Sequence, residues 1–191
     1  MEKGKCSNRK AEVMQKIRFY FDKDKEEKWL NDMCQSGWAM TKFFMGIYTF
    51  KPCQPGEYVY RIDMPAEIGK GRLKEEREQY IELVEETGAE HVCDWFWWSI
   101  FRKKASKGAF ELYTDCESQL ALYKRIRKLF VWVGCFEVFL TINNTRILMK
   151  DAGDKVDFAL LCIMYLIVMV LIVGIVKTTW KIKKIKQQII S

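Results

Sequence analysis

The chain has 191 residues, 49% of them hydrophobic and 30% charged, with a net charge of +7. These values exclude a disordered chain and a collagen-like fibre, and the uneven placement of the apolar residues argues against a freely soluble enzyme. Residues 158–176 run for nineteen positions without a charge, so a polar domain is joined to a membrane segment.

In chain order, residues 1–13 read as an N-terminal tail. Four basic residues precede position 11 with no apolar stretch behind them, so no cleavable secretory signal is expected. Residues 14–115 carry the pattern of an α+β domain. Residues 16–21 alternate as a strand, and Asp24-Lys25-Glu26-Glu27 predicts a capping box opening an amphipathic helix that contains Trp29, Leu30 and Met33. Gly37 closes that helix. Strands are expected over residues 39–44 and 47–51, a turn at Pro52, Pro55 and Gly56, and a strand over residues 57–63.

A shift of 51 positions lays this helix on a second one: Leu30 falls on Ile81, Met33 on Val84 and Gly37 on Gly88. Phe50-Lys51 falls on Phe101-Arg102 at the same offset, and residues 17–21 are matched with residues 58–62. Residues 66–72 read as a linker, including Gly69-Lys70-Gly71-Arg72, and a last strand over residues 110–113 is expected to close the sheet. The predicted fold is therefore α+β. Tandem strand-helix-strand-strand units form an antiparallel sheet with helices on one face, followed by a two-helix transmembrane hairpin.

Paired units of this order resemble the doubled modules of bacterial effector-binding domains, which hold amphipathic small molecules between the units. Aromatic residues are abundant in the corresponding part of this chain. Tyr48, Tyr60, Trp95, Trp97 and Trp98 form the candidate ligand or partner face, because alternation turns some of the consecutive aromatics at positions 95–98 outward.

The remaining chain is expected to comprise a basic juxtamembrane helix over 116–128 and a first span over 129–149. A short external loop over 150–155, a second span over 156–176 and a basic cytosolic tail over 177–191 follow. Thr114-Asp115-Cys116-Glu117 resembles a capping box opening the juxtamembrane helix. Nine of the 32 basic residues flank the two apolar segments, and the other 23 nearly balance the 25 acids. The positive charge thus belongs to the membrane boundary, where it meets lipid headgroups, and no nucleic acid is expected as a partner.

Lys124, Arg125, Arg127 and Lys128 precede the first span, and Lys181, Lys183 and Lys184 follow the second. With Trp132 and Trp180 they mark the membrane interface. The positive-inside rule then predicts a multi-pass cell-membrane protein with both termini cytoplasmic. Glu137 is the one acidic residue inside the first span, placed where a carboxylate is costly. Water access, a proton or a neighbouring helix would each accommodate it.

Ile17-Arg18-Phe19-Tyr20-Phe21-Asp22, the stretch Glu26-Glu27-Lys28-Trp29-Leu30-Asn31-Asp32-Met33, and Gly56-Glu57-Tyr58-Val59-Tyr60-Arg61-Ile62-Asp63 resemble the bacterial domain-of-unknown-function family 2812. The likeness covers about residues 14–128, continuing through Phe101-Arg102-Lys103 and Leu112-Tyr113-Thr114-Asp115. It implies membrane-linked regulation, since members commonly carry C-terminal membrane helices and are encoded beside PadR-type transcription regulators. It carries no activity and no site residues.

Seven scattered cysteines without a C-x-x-C pair, and a single histidine, give neither a disulfide framework nor a zinc-site spacing. Cys34, Cys93 and Cys116 are candidate thiol sensors with no local mark of a thiolate. No nucleophile elbow or phosphate loop is present, so no enzymatic activity and no cofactor is expected. Two roles remain. One is a membrane-anchored cytosolic sensor or regulatory module whose partner is an amphipathic small molecule, a membrane protein or a transcription regulator. The other is an accessory subunit of a membrane transporter or channel, with Glu137 facing another helix.

Overall fold

The computed structural model describes residues 13–65, 73–113, 115–150 and 154–190. The N-terminal tail, the linker with Gly69-Lys70-Gly71-Arg72, Thr114 and most of the connecting loop lie outside them. Two compact units result, residues 1–112 and 113–191.

The first unit runs β1 (Met14–Ile17), α1 (Lys23–Gln35), β2 (Trp38–Phe44), β3 (Ile47–Pro52), β4 (Tyr58–Asp63), α2 (Leu73–Glu86), β5 (Ala89–Trp95) and β6 (Trp98–Lys104). Its strands form two antiparallel three-stranded sheets, ordered β1-β3-β2 and β4-β6-β5. The element order is thus the same in each half, and so is the register. Met40 opposes Phe50 as His91 opposes Phe101, and a bulge follows at the same place in β2 and β5. Each hairpin turn then holds a non-glycine residue in the left-handed region, Met45 (φ 46°) in one half and Phe96 (φ 50°) in the other.

The expected single sheet is instead two. β2 and β5 run alongside each other as edges of separate sheets, and each carries its bulge there, which bends the strand and interrupts the ladder. The first strand also lies earlier than expected, at Met14–Ile17, with Phe19 and Phe21 exposed beyond it. Met14 opposes Phe50 where Arg61 opposes Phe101, so β1 corresponds to β4 at an offset other than the one that aligns residues 17–21 with 58–62. Residues 110–113 form no strand, and Phe110 is buried beneath α2 with Val84, Ala89 and Phe101.

The helices do not share one face. Leu30, Met33 and Cys34 of α1 join Met40, Tyr48 and Phe50 of the first sheet with Tyr60, Ile62 and Ile100 of the second in one core. On the opposite face of the second sheet, Val59 and Phe101 pack against Tyr80, Ile81 and Val84 of α2. The pleat accounts for this, since neighbouring residues of β4 and β6 point to opposite sides and both sides are covered.

At the start of α1 the cap is Asp22, whose carboxylate accepts the Asp24 N–H at 3.2 Å, rather than the expected box from Asp24 to Glu27. Glu27 is engaged elsewhere. Its Oε1 accepts the Ile62 N–H at 2.8 Å, Asn31 Oδ1 accepts the Tyr60 N–H at 2.8 Å, and Cys34 Sγ accepts the Tyr58 N–H at 3.3 Å. Asn31 also donates to the Tyr60 carbonyl at 3.3 Å. Side chains spaced along one face of α1 thereby satisfy the outer edge of β4, a strand that belongs to the other half.

The second unit contains α3 (Cys116–Lys150) and α4 (Lys155–Ile190). Asp115 caps α3, its carboxylate accepting the Ser118 N–H at 2.5 Å. The expected juxtamembrane helix and first apolar segment form one continuous helix, and so do the second segment and the basic tail. α3 and α4 lie antiparallel: Lys181 donates to the Tyr123 hydroxyl at 3.1 Å, and the Thr145 and Tyr165 hydroxyls are 3.3 Å apart. Small residues bring them close, with Gly134, Thr141, Gly174 and Thr178 buried. Among the described residues, only α4 is long and apolar enough to cross a membrane. Glu137 and Arg146 dilute the corresponding stretch of α3.

Replacing Asn31 by Ala leaves the Tyr60 N–H without its partner and should lower the stability of the first unit by about 1–3 kcal/mol. Ser36→Ala, which removes a bond only to the Asp32 carbonyl of the same helix, should cost below about 0.5 kcal/mol. Urea unfolding of the full chain in micelles, followed by tryptophan fluorescence, distinguishes the two.

Candidate functional site: an aromatic face around Glu26

Glu26, Trp29, Leu30 and Met33 recur at helical spacing on α1, so Glu26 stands on the apolar side of the helix. Its half-buried carboxylate accepts the Tyr48 hydroxyl at 2.7 Å. Burial raises the Glu26 carboxyl to about 7, the Tyr48 hydrogen bond opposing the rise and Glu27 adding to it. Burial and the adjoining Glu26 in turn raise the Tyr48 hydroxyl. This is a carboxylic acid poised to titrate near neutral pH.

Aromatic rings surround the pair. Trp29 meets Tyr48 edge-on with centroids 4.8 Å apart, and Tyr20 lies 5.6 Å from Trp29. Arg18 extends over Trp29 at 5.0 Å and donates to the Tyr20 hydroxyl. On the other side Phe43 is 4.6 Å from Tyr48 and 5.7 Å from Trp95, carrying the row of rings from the first sheet to the second. Cys93 lies beside the main chain of Phe43, its thiol pushed up to about 11 by burial.

The row ends at the β5–β6 turn, where Phe96 is 69% exposed. Its left-handed backbone is unfavourable for an aromatic residue, and the surrounding bonds hold it there. Arg77 of α2 donates to the Phe96 carbonyl at 2.7 Å. Asp94 accepts the Ser99 hydroxyl at 2.6 Å and lies 3.0 Å from His91 Nε2. Burial opposes ionisation of Asp94, but the His91 and Ser99 hydrogen bonds outweigh it and keep the carboxyl below its ordinary value.

The expected face is thus only partly assembled. Tyr48 and Tyr60 are buried in the shared core, because β3 and β4 both turn these side chains inward, and neither belongs to an exposed surface. The Tyr60 hydroxyl donates to the Met40 carbonyl at 3.2 Å. Trp98 packs half-buried against the same core, Trp95 is half-buried at the junction of β2 and β5, and Trp97 is exposed at the turn. Phe44, exposed and 5.3 Å from Trp95, joins them. In the sequence Glu26 and Glu27 both resemble capping residues, and only the spacing of Glu26, three and four positions from Trp29 and Leu30, marks it as lying on the apolar face. Arg61 pairs with Glu111 at 3.2 Å, and the buried Asp63 accepts the Tyr80 hydroxyl. Among the described residues no group of three or more His, Cys, Asp or Glu side chains is placed to hold a metal.

In the second unit Glu137 is half-buried on α3, and its carbonyl accepts the Thr141 hydroxyl at 2.8 Å. Arg125 donates to the Tyr113 hydroxyl at 3.0 Å, and Arg127 is half-buried. Lys124, Lys128, Lys183 and Lys184 are exposed, as are Trp132 and Trp180. Lys181 adds a cation–π contact to Tyr123, at 4.7 Å from the ring centroid.

A family model described as "Protein of unknown function (DUF2812)" matches residues 22–135. The chain belongs to this family. The match begins at the α1 cap and runs past the boundary between the two units into α3, so the DUF2812 segment contains Glu26, the strap from α1 to β4 and the first turns of α3. No curated protein and no solved structure matches the chain.

The raised Glu26 carboxyl makes a prediction about stability. The folded state favours the neutral acid, so its contribution is complete below pH 4.5 and is lost as pH rises through about 7. The full shift corresponds to about 3 kcal/mol, which solvent reaching the half-buried group reduces. Glu26→Gln stays neutral throughout, and urea midpoints measured from pH 5 to 8 should decline less in this variant than in the parent chain.

Proposed function

We propose that this DUF2812 protein is a membrane-anchored, non-enzymatic sensor or regulatory module whose first unit binds an amphipathic organic cation. The observation that carries the reading is Glu26, a half-buried acid titrating near neutral pH, held by the buried Tyr48 beside the partly exposed rings of Tyr20, Trp29 and Phe43. Ionised, it offers a counter-charge, and the ring faces attract an organic cation while excluding water. Binding that moves α1 would reach both sheets, because α1 packs in the shared core and is strapped to β4. A transcription regulator is the partner that such a module would inform.

The second unit is read as a transmembrane hairpin with both termini cytoplasmic. Support comes from its surface: Trp132, Phe136 and Phe139 on α3 are exposed, as are Leu160, Leu166 and Met169 on α4. Side chains of this kind suit lipid. The basic residues near Tyr123 and Lys181 share one end of the helix pair, as a common cytoplasmic interface requires.

Two measurements test these readings. For the full chain in nanodiscs, tetraphenylphosphonium should quench tryptophan fluorescence saturably, after subtraction of empty discs. Its affinity should rise through pH 7 and fall about tenfold in Glu26→Gln at pH 8, a difference of about 1.4 kcal/mol. Equal affinity in parent and variant would remove Glu26 as the recognition group. For topology, a cysteine at Gly153 of a cysteine-free variant should react with an impermeant thiol reagent added outside cells, and one at Ser118 should not. Protection at both positions would show that α3 does not cross.

A further inference from the structure

Cys34 and Cys53 are brought together by three main-chain hydrogen bonds. The Gly37 and Gly56 N–H groups both donate to the Cys34 carbonyl, at 3.0 and 2.9 Å, and the Cys53 N–H donates to the Gly37 carbonyl at 2.9 Å. The end of α1 is thereby laid against the β3–β4 connection. Both thiols are free, with their sulfurs 3.9 Å apart. A disulfide requires about 2.05 Å, so side-chain rotation and a small main-chain adjustment would have to close about 2 Å. Cys93 lies instead beside the Phe43 main chain, and Cys116, Cys135 and Cys162 are exposed on helices.

We infer that Cys34 and Cys53 form a reversible thiol–disulfide pair, oxidised by hydrogen peroxide. The half-buried Cys53 meets the oxidant first, while Cys34 is fully buried. The Cys53 thiolate attacks one peroxide oxygen, the O–O bond breaks, and the hydroxide that leaves takes up a proton as water. The Cys34 sulfur then displaces the hydroxyl of the resulting sulfenic acid, forming the S–S bond and a second water. Two thiols and one peroxide thus yield one disulfide and two waters. Oxidation engages the sulfur that accepts the Tyr58 N–H, so it acts on one point of the strap between the halves. Burial and the adjoining Cys34 push the Cys53 thiol up to about 12, which makes the reaction slow at neutral pH.

The test uses the full chain in nanodiscs, treated with hydrogen peroxide, quenched with N-ethylmaleimide and digested for mass spectrometry. The expected product links the peptides bearing Cys34 and Cys53 within one chain, two hydrogens lighter than the reduced pair, and dithiothreitol reverses it. Its initial rate should rise about tenfold per pH unit between pH 7 and 9, following the thiolate. Cys53→Ser should abolish the link, whereas Cys116→Ser should leave it unchanged. The inference is overturned if the parent chain yields Cys34 and Cys53 both alkylated after exposed Cys116 has been oxidised, or if either is linked mainly to another cysteine. Because these outcomes are read on the parent chain, they do not depend on the folding of a variant.

Discussion

The first unit depends on how the outer edge of β4 is satisfied. An edge strand presents a row of unpaired N–H and C=O groups, and burying them without partners costs about 1–3 kcal/mol each. Here the Tyr58, Tyr60 and Ile62 N–H groups go to Cys34, Asn31 and Glu27 of α1. The helix therefore belongs to both halves. It lies in the chain between β1 and β2, yet its polar side chains complete the second sheet while Leu30 and Met33 fill the core against both. Consecutive residues 26 and 27 point about 100° apart on a helix, so fixing Glu27 on Ile62 leaves Glu26 on the side of Tyr48. The candidate site is in this sense a consequence of the strap.

The two halves repeat in register, bulge and turn, and differ in their helices. α2 carries Glu78, Glu82 and Glu85 where α1 carries Glu27, Asn31 and Cys34, which replaces the amide's donor and the thiol by carboxylates. α2 rests instead on β5 through the outer face of the second sheet, and Glu85 accepts the His91 N–H at 3.2 Å. One helix thus joins the halves and the other covers one of them. The symmetry of the strands is retained where the ladder enforces it, and lost where side chains decide the contact.

Much of this architecture was legible because local rules and spacing agree. The offset of 51 positions holds through α1, β2 and β3, and Gly37 and Gly88, both with positive φ, end the helices as expected. What failed was whatever depends on which face is covered. Alternation through Phe19 and Phe21 looks like a buried strand, yet both rings stand exposed past the end of β1. Alternation in β4 cannot choose a core side when α1 covers one face and α2 the other, so the sequence alone does not tell that Tyr60 points into the core. The Glu26–Tyr48 pair lies 22 positions apart in sequence, and only the packing of α1 on β3 brings it together.

The second unit is packed differently. Leu122, Ile126, Ile182 and Ile185 are buried at its basic end, whereas along the apolar stretch of the seam the buried residues are small or hydroxylated, with Gly174 so close to Phe130 that a Cβ there would lie 3.2 Å from the ring. Along that stretch many large apolar side chains, such as Phe136, Phe139, Leu160 and Leu166, point outward. In water that arrangement would expose the groups whose burial normally drives folding. Under the transmembrane reading proposed above the arrangement is favourable, since lipid would take the apolar faces and close backbone approach would supply the packing. Thr141 and Thr178 fit the same environment, as their hydroxyls donate to the carbonyls of Glu137 and Gly174 on their own helices. The family segment ends at residue 135, one position beyond Gly134 of that seam. The α+β unit from α1 onward and the start of a close-packed helix pair therefore fall within one DUF2812 segment, although they belong to separate compact units, and β1 precedes that segment.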